Sequence, residues 1–63
     1  MKTITPAEAL ANEWGTRMAC PSELAEMAMA QGHAFHAAWR IADEAVGIIA
    51  DRIDRDLEAR YPG

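Results

Sequence analysis

Residues 35–53, FHAAWRIADEAVGIIADRI, decide the fold. Phe35, Trp39, Ala42, Val46, Ile49 and Ile53 recur in steps of 4, 3, 4, 3 and 4. That spacing keeps them on one face of an α-helix in a heptad seam. A second apolar row, Ala34, Ala38, Ile41, Ala45 and Ile48, runs beside it. Together the rows make a face broad enough for two neighbours. The alanines at 34, 38, 42 and 45 allow a second helix to approach closely.

Followed backwards, the seam passes through Gly32, Ala28 and Ala25 in the same register, with no proline between Pro21 and Pro62. Continuity predicts one long helix over about residues 22–60, with a kink at Gly32, and a break there as the alternative. Upstream, Thr5-Pro6-Ala7-Glu8 is a helix start: a threonine cap, a proline in the first turn and a glutamate placed to bond back to the cap. Ala7, Leu10, Ala11, Trp14 and Met18 then mark one face, predicting a short helix over about 6–18 that Gly15 weakens without ending. Pro21 disfavours helical geometry at Cys20, so the chain turns there. No stretch alternates as a strand would. The expected fold class is all-α: a helical hairpin in a single domain spanning 1–63.

The chain has 63 residues, of which 51% are hydrophobic. Fourteen of these are alanine, leaving eighteen larger apolar side chains and a thin core. The single cysteine excludes an internal disulfide, and no Cys/His pattern suggests a structural zinc, so association is the remaining means of stabilisation. The start of the chain has no apolar leader, and the longest apolar run, residues 45–50, is far too short to span a bilayer. The expected location is cytoplasmic. Ten acids against six bases give a net charge of -4, which disfavours nucleic acid and anionic membranes as partners.

Length sharpens the expectation of association. A helix over 22–60 would be about 58 Å long and one over 6–18 about 20 Å, at 1.5 Å per residue. The short helix would then leave Trp39, Ile41, Val46, Ile48, Ile49 and Ile53 uncovered, forfeiting on the order of 10 kcal/mol of burial. A homodimer pairing the long helices restores that burial. Phe35, Trp39, Ala42, Val46, Ile49 and Ile53 are accordingly the expected dimer or partner interface. The competing arrangement folds 33–60 back onto the first two helices as a three-helix bundle.

Few residues suggest chemistry. His33 and His36 share a helical face but lack the further ligands of a metal site, and read as solvent-facing. Cys20 precedes a helix N-terminus, where its thiol pKa is lowered, yet no base accompanies it. The expected activity is therefore non-enzymatic, with no cofactor and no metal. On the opposite side from the seam, Glu44, Asp51 and Glu58 are spaced by seven, with Asp43 and Asp54 beside them. This acidic stripe is the expected docking face for a protein partner with a basic surface, if it is more than a solvated face. The stretch from Thr5 to Gly15 resembles the first half of a helix-turn-helix, but the second half would have to run through Cys20-Pro21.

In size, charge and helicity the chain is similar to small accessory proteins of phages and mobile elements, anti-restriction and anti-CRISPR inhibitors among them. That similarity implies an inhibitor or regulator acting on a larger protein, including one that binds nucleic acid. A DNA-binding regulator or antitoxin-like dimer and a purely structural self-assembly module are the alternatives.

Overall fold

The computed structural model describes residues 3–60; Pro62, the last of the sequence's three prolines, lies outside them. The fold is all-α. Helix α1 spans Pro6–Trp14, α2 spans Pro21–Ala30 and α3 spans Phe35–Arg60. Among the described residues there is no strand.

Helix α1 starts where the sequence places it. Thr5 is extended, and its Oγ1 accepts the Glu8 amide at 3.2 Å, with Pro6 at the first helical position. Its end differs from expectation. Gly15 terminates the helix at φ 84°, while its amide still donates to the Ala11 carbonyl. Beyond it, the Trp14 Nε1–H donates to the Arg17 carbonyl at 3.2 Å, and the Arg17 guanidinium lies 3.8 Å from the centre of the Trp14 ring. Those contacts hold the turn closed. Met18, expected to continue the apolar face, is instead 88% exposed.

The second correction is larger: residues 22–60 form two helices, not one. Helix α2 ends in a Schellman motif, with the Gly32 amide donating to the Met29 carbonyl at 3.0 Å and the His33 amide to the Ala28 carbonyl at 3.2 Å. The motif requires a left-handed residue, and Gly32 supplies it at φ 101°. The chain re-enters helix at Phe35, and the Ala38 amide donates to the Ala34 carbonyl. An unbroken apolar register is therefore compatible with a reversal of direction.

Helix α3 is the spine. At 26 residues it is about 39 Å long, close to the molecule's 43 Å greatest extent. Both shorter helices pack on it and touch each other little. The 15 Å shortest extent corresponds to two helical layers. Between the layers lie Ala7, Leu10, Ala11 and Trp14 of α1, Leu24, Ala25 and Ala28 of α2, and Ala38, Ala42, Ala45 and Ile49 of α3. Five of the eleven are alanines from α2 and α3, so close approach of backbones substitutes for bulk. Arg52 ties α1 to the distal half of α3, its Nη1 donating to Asn12 Oδ1 at 2.8 Å.

This arrangement overturns the length argument for a large uncovered face. Ile49 is fully buried within the single chain, and Ile41, Val46, Ile48 and Ile53 are half-buried against the core. The cover comes from α2, which the break folds back, and from α1.

Candidate functional site

The residues expected as one seam separate into two sets. Ala42 and Ile49 belong to the buried row Ala38, Ala42, Ala45 and Ile49, in steps of 4, 3 and 4. They face the chain's own helices and are closed to a second protein. Val46 and Ile53 are half-buried at the edge of that row. Phe35 and Trp39 remain outside, 61% and 39% exposed, with their rings edge-on at 6.3 Å between centres. Leu57, absent from the expected set, is 47% exposed.

A helical turn of about 100° per residue explains the separation. Phe35, Trp39, Val46, Ile53 and Leu57 cluster about 70° round α3 from the buried row. They form an apolar flank at the edge of the ground that α1 and α2 cover, with Val46 and Ile53 partly under it and Phe35, Trp39 and Leu57 outside. Leu57 lies four residues after Ile53 and was legible as a continuation of the same register.

The acidic residues spread over about 100° of α3. Asp43, Glu44, Asp51, Asp54 and Glu58 are all exposed and lie about half a turn from the buried row. Both short helices occupy the other side of α3, so nothing among the described residues covers this stripe. Asp51 is engaged by Arg55 at 3.3 Å, while the second ion pair, Asp56–Arg60 at 3.4 Å, uses an acid outside the stripe. Exposed pairs of this type contribute about 0.3–0.5 kcal/mol and leave a carboxylate free to exchange partners. At the head of the same side stand His36, its ring 5.7 Å from that of Phe35, and Arg40.

Cys20 lies half-buried immediately before α2, its Sγ 3.4 Å from Ser22 Oγ. The Ser22 hydroxyl, aided by backbone amides at the start of α2, lowers the thiol pKa from its ordinary value. No base stands beside it in the sequence neighbourhood, and His33 and His36 sit at the other end of α2, past its last turn. Among the described residues no three His, Cys, Asp or Glu side chains gather as a metal site would need, and no helix is long and apolar enough to cross a membrane.

Comparison with protein-family models, with curated proteins and with solved structures gives no match for this chain.

Proposed function

We propose that this chain is a non-enzymatic protein-interaction module that self-associates and regulates or inhibits a larger protein by docking on it through α3. The observation that carries the reading is the division of α3 into three strips: a buried alanine row, an apolar flank and an acidic stripe. An isolated fold needs only the first. The flank and the stripe are surfaces for other molecules: exposed aromatic area gives affinity, and a single-sign field selects partners and speeds encounter. The favoured partner has a basic surface, and proteins that grip nucleic acid present such surfaces.

The test is affinity capture from nuclease-treated bacterial lysate, comparing the native chain with a variant carrying Glu44→Gln, Asp51→Asn and Glu58→Gln. The expected result is a basic protein retained by the native chain, released by moderate salt and lost with the variant, whose helicity and mass are unchanged. Capture that ignores both the substitutions and the salt would refute docking through the acidic stripe. Recovery of the bait alone would leave self-assembly as the chain's activity.

A further inference from the structure

We infer that two copies pair through the apolar flank of α3 in antiparallel orientation, with Val46 at the two-fold axis. The inference rests on the reading of the chain as a self-associating module, and adds the orientation, the register and the disposition of the acidic stripes.

The flank is symmetric about its middle. Trp39 and Ile53 lie seven residues either side of Val46, and Phe35 and Leu57 lie eleven either side. Antiparallel pairing about Val46 therefore sets Trp39 against Ile53 and Phe35 against Leu57 of the second copy, aromatic on aliphatic on either side of a central Val46 pair. The charges agree with the same register. His36 and Asp54 lie about 80° round α3 from the flank, one in each half of the helix, and Arg40 lies about 120° round on the same side, with a side chain long enough to reach back. Position 54 of one copy falls opposite position 38 of the other, so Asp54 sits between His36 and Arg40, about 3 Å along the axis from each. Among the described residues neither Arg40 nor Asp54 has an ion-pair partner within the chain. A parallel pairing would instead set Asp54 against Asp54 and Asp43 against Asp43, and align the two helix dipoles unfavourably.

Symmetry then fixes where the remaining surfaces go. A two-fold axis normal to the plane of two antiparallel helices carries the upper side of one onto the upper side of the other. The flank faces the second copy, α1 and α2 lie to one side of that plane, and Glu44, Asp51 and Glu58, about 120–160° round α3 from the flank, face away from the second copy. The dimer thus places all the short helices on one side and runs an acidic stripe along each outer edge, facing away from the other copy.

Two experiments on the full chain test this. The first is charge reversal read by analytical ultracentrifugation, with circular dichroism confirming unchanged helicity. Arg40→Glu and Asp54→Arg, each reversing two equivalent contacts, are expected to raise the dimer dissociation constant by about tenfold or more, and the double variant to restore it. The second is disulfide trapping in a Cys20→Ser background, with Asp43→Cys and Ala50→Cys made separately and mixed. Residues 43 and 50 of opposite copies are neighbours in the antiparallel register, whereas the two copies of residue 50 are about 12 Å apart along the axis, beyond disulfide reach. Mixed cross-links are expected. Self-cross-linking of Ala50→Cys, or single reversals without effect on a dimer that forms, would overturn the antiparallel register and leave the interaction-module reading standing. A native chain that stays monomeric at high micromolar concentration would overturn pairing altogether, while partner capture continues to test the module reading separately.

Discussion

Ile49 provides the sharpest test of how the molecule is held together. It is one of three large side chains that are fully buried, and it sits where α3 meets the shorter helices. Ile49→Ala removes three carbons, a transfer loss of about 2.4 kcal/mol at about 0.8 kcal/mol per methylene. The cavity left behind brings the expected cost to about 3–4 kcal/mol. A domain of this length has only about 3–9 kcal/mol of total stability at about 0.05–0.15 kcal/mol per residue. The variant should therefore be close to unfolded in buffer, and Ile49→Val, at about 0.5–1.5 kcal/mol, provides the measurable step. The assay is urea unfolding followed by far-ultraviolet circular dichroism at two protein concentrations tenfold apart. If Ile49 lies in the chain's own core, the loss from Ile49→Val is the same at both concentrations. A loss below about 1 kcal/mol for Ile49→Ala, or one that appears only as a weaker dimer, would refute the packing described here and return Ile49 to an intermolecular seam.

Two further predictions concern the backbone and the thiol. An added Cβ would meet no neighbouring atom within 4 Å at either Gly32 or Gly47, so substitution at each reports the backbone alone. Gly32→Ala, at φ 101°, should cost about 1–2 kcal/mol, whereas Gly47→Ala inside α3 should gain about 0.5–1 kcal/mol; thermal unfolding that moves both the same way would contradict the helix boundary at residues 31–34. For Cys20, the pH midpoint of iodoacetamide alkylation should lie below that of the urea-unfolded chain, and Ser22→Ala should raise it towards the unfolded value. Because the folded pKa is the lower one, the associated stability is fully present above the unfolded midpoint and is lost as pH falls through the folded one. An unchanged midpoint in Ser22→Ala would show that the hydroxyl contact does not hold the thiolate.

Much of this fold was legible in local chemistry, and the misreadings share one cause. Thr5, Pro6 and Pro21 announced the starts of α1 and α2, and Ala7, Leu10, Ala11 and Trp14 announced the buried side of α1, because caps and periodicity act over a few residues. Both misplaced ends fall at glycines. Gly15 was read as a weak point inside a helix and Gly32 as a kink, with a break there only as the alternative, whereas each adopts a positive φ that stops a helix. A glycine is compatible with either role, and the choice depends on tertiary packing downstream. The seam was misplaced for a related reason. Side-chain size favoured Phe35 and Trp39 as core, but the short helices settle where α3 is smallest, on Ala38, Ala42 and Ala45, and leave the aromatics at the edge. The acidic stripe was legible because charge must reach water whichever row is buried.

The sparse contact between α1 and α2 divides the cooperativity of the molecule. Each short helix is stabilised chiefly by α3, and neither reaches the dozen or so residues at which a helix persists by itself in water. Lifting α1 away costs its own contacts with α3 and the Asn12–Arg52 bond, while the hairpin of α2 and α3 keeps its Schellman turn and most of its buried alanines. Amide hydrogen exchange should therefore fall into two classes, faster in α1 and slower where α2 lies on α3. In its opened form the chain bares Leu10 and Trp14 of α1, apolar side chains that the closed form hides from solvent and from any partner.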